Sequence, residues 1–169
     1  TVVGVINADQ SLYSNDFRSA EKTFSLLTQV IGRSGRADDA GIAIIQTIAP
    51  ENAIIALAAK QDYGQFYETE IVSRKLMVYP PYCDLLVCGF VSEHRDRVRL
   101  AAMHFFELLK HQLDHHYHNQ KMIILGPSPC AVPKVIGKYR YRLILKCKNN
   151  RQLRDLLRGL LIQLSKDYK

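Results

Sequence analysis

Tryptophan is absent from the 169 residues, and the four cysteines, Cys83, Cys88, Cys130 and Cys147, never form a C-x-x-C pair. Structural zinc sites usually need closely paired ligands, because each pair lowers the entropy lost in closing the tetrahedron. No metal site is therefore predicted in this chain, and Cys83 and Cys88, in or beside an apolar run, read as small buried hydrophobes. No stretch approaches the roughly 20 apolar residues that span a bilayer. The start, Val2-Val3-Gly4-Val5-Ile6, has neither the basic run nor the cleavage pattern of a secretory leader. These absences predict a cytoplasmic protein with no membrane partner, and the abrupt beginning in what reads as a buried strand suggests a fragment of something longer.

Acidic residues are almost missing from the last segment. Residues 121–169 hold 12 of the 23 lysines and arginines but only two of the 16 acids, so the entire net charge of +7 originates there. A concentration of this kind is the footprint of a phosphate-backbone contact, with a solvated basic face as the alternative. His111 and His115 have the i, i+4 spacing that places two imidazoles on one helix face. That spacing admits a metal pair; the reading adopted is a polar helix end, where imidazoles suit the negative end of the dipole.

What is present is a chain of 47% apolar composition, enough for one or two small domains. Val2–Ile6 reads as a strand covered on both faces. A polar, turn-rich stretch (7–16) follows. Phe24, Leu27, Val30 and Ile31 then recur at helical spacing until Gly32 breaks the pattern. A second β-rich run covers Gly41–Ala49. Strand, helix, strand is the rhythm of a parallel α/β layer, but two strands make an incomplete one. Helices are predicted over 51–60 and 63–76. Tyr79-Pro80-Pro81-Tyr82 cannot continue a helix, since proline lacks the amide donor and restrains the residue before it. Beyond it the spacing predicts a strand over 85–91, an amphipathic helix over 97–113 and a strand over 122–125 ended by Gly126-Pro127. A hairpin of 131–136 and 139–147 and a last helix over 151–165, capped by Asn149 or Asn150, complete the pattern. The order is β-α-β-β-β-α, an open sheet with helices on one face.

The most specific element is Gln29-Val30-Ile31-Gly32-Arg33-Ser34-Gly35-Arg36. A glutamine and two arginines at a glycine-bearing helix-to-loop junction suit a nucleotide triphosphate: guanidinium is permanently charged, forks onto phosphate oxygens and can stabilise charge on a phosphoryl group in transfer. In the last segment Lys134, Lys138, Arg140 and Arg142 alternate with Tyr139 and Tyr141. Strand alternation places the tyrosines on one face and the arginines on the other. If the tyrosine face is core, only the basic face meets DNA. Arg151, Arg154 and Arg158 share one helix face and could receive DNA or a carboxylate-ended peptide, or simply be solvated.

The 29–36 element is similar to the Gln-x-x-Gly-Arg-x-Gly-Arg motif of superfamily 2 helicases. Val3-Gly4-Val5-Ile6-Asn7-Ala8-Asp9, Asp16-Phe17-Arg18-Ser19-Ala20-Glu21, Tyr79-Pro80-Pro81-Tyr82, Leu125-Gly126-Pro127 and Gly137-Lys138-Tyr139-Arg140-Tyr141-Arg142 resemble, in order, the replication-restart helicases of that superfamily. The resemblance implies an α/β partial second RecA-like helicase lobe over 1–50, a helical connector over 51–78 and a small α+β, ribosomal-protein-like domain over 79–169. It implies that Gln29, Arg33 and Arg36 face ATP and Mg2+ held by another lobe, with Gly32 and Gly35 allowing close approach and Arg36 as the arginine finger. Asn7 to Asp9 corresponds to the motif coupling the nucleotide site to the translocating strand, which makes Asp9 a cofactor-side candidate. Asp16 and Arg18 are further candidates there, or equally a cap and a local ion pair.

The implied partners are forked and single-stranded DNA, single-stranded-DNA-binding protein through its acidic, apolar tail, and other primosome proteins. The family's phosphate-binding loop, Asp-Glu-x-His metal site, zinc-binding cysteines and N-terminal DNA domain are not in this sequence. ATP, Mg2+ and zinc are thus expected only in a longer protein, and this chain is expected to be inactive as an ATPase. The expectation is the C-terminal part of an ATP-dependent 3′-to-5′ DNA helicase that recognises stalled forks and restarts replication. A non-catalytic DNA- or protein-binding module is the alternative, and an RNA-binding domain a third reading on fold analogy.

Overall fold

Short β-branched runs form β1 (Val2–Val5) and β2 (Ile42–Ile45), which pair in parallel with Val2 opposite Ile42. The structure, a computed structural model, describes residues 2–34 and 41–168. It divides into two units, Thr1–Met77 and Val78–Lys169. In the first, α1 (Asp9–Leu12) and α2 (Ser19–Ile31) lie between the strands, and α3 (Ala53–Ala59) and α4 (Tyr63–Leu76) follow. Asn52 caps α3 by accepting from the Ile54 amide, and Asp62 caps α4 through the Gln65 amide. Each thereby satisfies one of the amides that a helix start leaves without an internal partner.

The core of this unit is made by Phe24 and Leu27 of α2, Ile55, Leu57 and Ala58 of α3, and Phe66 of α4, with Val5 and Ile45 packed against it. The Phe24 and Phe66 rings stack 4.2 Å apart. The expectation that β1 is covered on both faces does not hold among the described residues. Val2, Ile42 and Ile44 are about 60% exposed, on the side away from the core. The sequence run is apolar throughout, but the helices of this unit bury only alternate side chains. Two further differences are local. Strand β2 stops at Ile45, and the turn-rich 7–16 stretch contains the short helix α1.

In the second unit β3 (Asp84–Ser92), α5 (Arg95–His115), β4 (Met122–Val135), β5 (Lys138–Cys147) and α6 (Arg151–Asp167) form an antiparallel sheet of order β3-β5-β4 with two helices. Leu143, Leu145 and Cys147 of β5 and Cys88 and Phe90 of β3 share one buried cluster with Phe105 and Leu109 of α5 and Leu153, Leu157 and Leu160 of α6. Both helices thus cover one face of the sheet, as the periodicity predicts. Asn150, not Asn149, caps α6, accepting from the Leu153 amide at 2.8 Å.

The separate strands expected at 122–125 and 131–136 are one long strand, so the order is β-α-β-β-α. Gly126-Pro127 does not end β4; the ladder instead shifts register between Leu125 and Ser128, and again between Pro129 and Lys134. Prolines cannot donate to a ladder, and a bulge lets the chain pass them without leaving the sheet. Gly126 makes this possible with φ +99°, where a Cβ would come within 2.9 Å of the Arg142 carbonyl oxygen.

Candidate functional site

Gln29, Gly32 and Arg33 occupy positions i, i+3 and i+4 at the end of α2, so one helix face presents all three. Each is exposed, and the side chains of Gln29 and Arg33 make no hydrogen bond or ion pair among the described residues. Gly32 is the helix C-cap, and its amide bonds the Thr28 carbonyl. A Cβ at Gly32 would lie 3.3 Å from that carbonyl oxygen. The next residues tighten rather than leave the helix: the Arg33 amide bonds Val30 O, and the buried Ser34 donates its hydroxyl to Ile31 O at 2.7 Å. Ser34 thus anchors the junction while Arg33 stays available to an anion. Gly35 and Arg36 lie outside the described residues.

Asp9 is 5% exposed, and its two carboxylate oxygens accept from the Thr47 hydroxyl at 2.8 Å and the Ile48 amide at 3.0 Å. It ties the start of α1 to the chain leaving β2, and the Ala8 amide bonds Gln46 O beside it. Asp16 is an ion-pair partner and not the cap of α2, whose N-cap is Arg18 without a side-chain cap bond. It accepts from the Arg18 amide and pairs with Lys22, not with the Arg18 side chain. These contacts, the Lys22 bond first, hold its carboxyl below the usual range. The Arg18 guanidinium lies over the Phe17 ring, 5.2 Å from its centroid.

In the second unit Tyr139 and Tyr141 pack against the helix-side core. Alternation then turns Lys138, Arg140, Arg142, Ile144 and Lys146 of β5 to the uncovered face. Across that face Val87, Gly89 and Val91 of β3 stand opposite Ile144, Arg142 and Arg140. Val87, Val91, Arg140 and Arg142 help to line a shallow cavity of about 350 Å³ there. The Arg142 Nε is buried and has no hydrogen-bond partner. A guanidinium donor sealed from solvent without a partner carries an uncompensated desolvation cost. Lys134 lies on the opposite hairpin face, its ammonium 4.6 Å from the Tyr139 ring centroid.

Arg151 and Arg154 are elsewhere, on α6. Arg151 is close to Asp155 at 3.7 Å, whereas Arg154 donates to Asn149 Oδ1 at 2.8 Å. Arg154 and Arg158 edge an apolar groove between β3 and α6, lined by Leu86, Val87, Leu157 and Leu161. The fold therefore separates two basic surfaces that sequence spacing could not distinguish.

Two residues escaped the sequence reading. Lys146 is buried, with its ammonium 3.7 Å from the Tyr79 ring centroid, so the Tyr-Pro-Pro-Tyr segment closes one end of the uncovered face. Ile136 is 94% exposed at the hairpin tip. The cysteines contribute no site: burial pushes the Cys88 thiol up to about 11 and also raises Cys83 and Cys147. Among the described residues no three metal-ligating side chains converge. His111 and His115 stack 4.2 Å apart on the exposed end of α5. No helix among the described residues is long and apolar enough to cross a membrane.

The model of the primosomal protein N C-terminal domain matches residues 75–167, more than half of the chain. The chain belongs to this family. Replication restart protein PriA of Bacillus subtilis is 39% identical over 161 residues, which are 95% of this chain and 19% of that protein. The PriA of Chlamydia muridarum is 38% identical over 92% of this chain and 20% of its own length. That of Treponema pallidum is 34% identical over 95% and 24%. The chain thus spans about a fifth of the curated relatives it matches. The family match takes in the last residues of α4 and the second unit through α6. The first unit is covered by the relatives, whose similarity extends over nearly the whole chain.

Proposed function

We propose that this chain is the C-terminal part of an ATP-dependent 3′-to-5′ DNA helicase that recognises stalled or branched replication forks and restarts replication through primosome assembly. The observation that carries the reading is the similarity to replication restart proteins along nearly the whole chain. The exposed Gln29–Arg33 face at the end of α2 agrees with it. On this reading residues 1–50 are part of the second RecA-like lobe. Its uncovered apolar face, with Val2, Ile42 and Ile44, takes the remainder of that lobe. Mg2+ and ATP belong to the other lobe of the longer protein, as zinc belongs to its cysteine-rich sites. Arg33 and Arg36 reach the phosphates from this side, with Gln29, Gly32 and Gly35 shaping the junction. Asp9 acts indirectly, holding the 47–49 segment against the start of α1. The isolated chain has no ATPase activity, and its cellular setting is the cytoplasm.

In the second unit Lys138, Arg140 and Arg142 form the DNA contact, with Lys134 a further contact on the other face of the hairpin. The groove bordered by Arg154 and Arg158, with Arg151 nearby, offers cations beside apolar surface and suits the acidic, apolar tail of single-stranded-DNA-binding protein. That groove also keeps a second reading in play, a module that binds protein rather than DNA. Titration of a labelled fork with the chain at increasing salt separates the two. Each phosphate contact adds about −0.9 to the slope of log K against log salt. Changing Lys138, Arg140 and Arg142 to Ala is therefore expected to flatten the slope by about 2 to 3 units. No fork binding at low salt would leave only the protein-docking reading.

A further inference from the structure

Strands β4 and β5 meet at Ile136-Gly137, with Val135 paired to Lys138, one pair beyond the last β3 partner, Ser92 opposite Tyr139. Both turn residues have positive φ, 48° for Ile136 and 76° for Gly137. This is the geometry of a type I′ two-residue hairpin, which favours Asn-Gly or Asp-Gly. Gly137 fits it. Ile136 does not: a β-branched residue at positive φ is a true outlier, because its Cβ crowds the backbone. Its side chain is 94% exposed, so no packing compensates. Val132 and Val135 beside it are also exposed. The cations nearest the tip are Lys134 and Lys138, one on each face of the ribbon, with Arg140 further down the Lys138 face.

An apolar point at a hairpin tip between two cations matches the surface of a duplex end, where stacked bases lie between two phosphate strands. We propose that Ile136 is a wedge that inserts against the terminal base pair of duplex DNA at a fork junction, with Lys134 and Lys138 on the phosphates of the two strands. Apolar side chains inserted at base steps unstack them locally, and flanking cations hold the backbones. The assignment rests on the DNA-binding reading of the second unit. It adds where on the DNA the hairpin sits and which residue disturbs the bases.

The test uses the 169-residue chain and a forked duplex carrying 2-aminopurine at the last base pair before the branch. The parent chain is expected to brighten the probe on binding. Ile136→Asn supplies the residue that the turn prefers. It is expected to raise Tm by roughly 2–6 °C, to lose most of the brightening and to weaken fork binding about 3- to 10-fold. Ile136→Phe is expected to keep the brightening. Ile136→Asn with parental brightening and affinity would overturn the wedge. So would a parent chain that binds the fork without brightening the probe, although the DNA contact at Lys138, Arg140 and Arg142 would stand. A parent chain that does not bind the fork at low salt would remove both.

Discussion

Arg142 and Cys88 show how the surroundings of a side chain set what it can do. Arg142 is one of 23 basic side chains, yet its Nε is buried without a partner on the uncovered sheet face. A buried donor left unpaired costs about 1–3 kcal/mol, whereas the other described arginines of the last segment carry no such cost. Cys88 faces the other way, into the core, and burial raises its thiol to about 11. At neutral pH it holds about 100-fold less thiolate than an ordinary cysteine, and thiolate is the reacting species. Iodoacetamide on the folded chain is expected to modify the partly exposed Cys130 well before the buried Cys88. Mass spectrometry of a short time course checks the order, and equal rates would mean the core opens readily. The hydrophobe reading of Cys88 was accessible from its apolar neighbours. The orphaned Nε was not, because spacing cannot say which arginine will lose its water.

The elements are mostly where periodicity puts them. Strand β3, helix α5 and helix α6 lie within two residues of the predicted bounds, because their apolar spacing, Pro-Pro punctuation and Asn cap all agree. Strand β4 is the exception. Gly126-Pro127 has the composition of a turn, but the strand continues through it by a bulge, since β5 provides a partner on both sides of the break. Gly126 is the hinge of that bulge. Its φ of +99° and the 2.9 Å approach of the Arg142 carbonyl leave no room for a side chain. Gly126→Ala is expected to destabilise the second unit by about 1–3 kcal/mol, measured by urea denaturation. Gly137→Asn, at φ +76° with nothing near its Cβ position, is expected to change stability by less than about 0.5 kcal/mol. Similar losses at the two positions would mean that the bulge is not under steric control.

At the scale of the molecule the two units differ in completeness. The second has a three-stranded sheet with two amphipathic helices closing one face over a core centred on Phe105, Leu109, Leu143 and Leu145. The first has a two-stranded sheet with one apolar face exposed. Isolated two-stranded sheets are marginal in water, and a contiguous apolar face invites association. Residues 78–169 expressed alone are expected to unfold in one cooperative transition with helical circular dichroism. Residues 1–77 alone are expected to bind a hydrophobic dye and to self-associate. A broad, non-cooperative transition for 78–169 would show that its core depends on the rest of the chain.

The element order of most of the chain, the basic character of its last segment and, through the 29–36 motif, the superfamily it resembles can all be read along the chain. These rest on local spacing, turn chemistry and composition, which act over a few residues. Tertiary structure alone decided that Lys138, Arg140 and Arg142 share an uncovered face and that Arg154 and Arg158 edge a separate groove. It also decided that Asp9 spends both oxygens on residues some forty positions away, and that Ile136 stands alone at a strained tip. Each depends on which distant segment occupies the neighbouring volume, and pairing across a sheet sets that while periodicity along one strand does not.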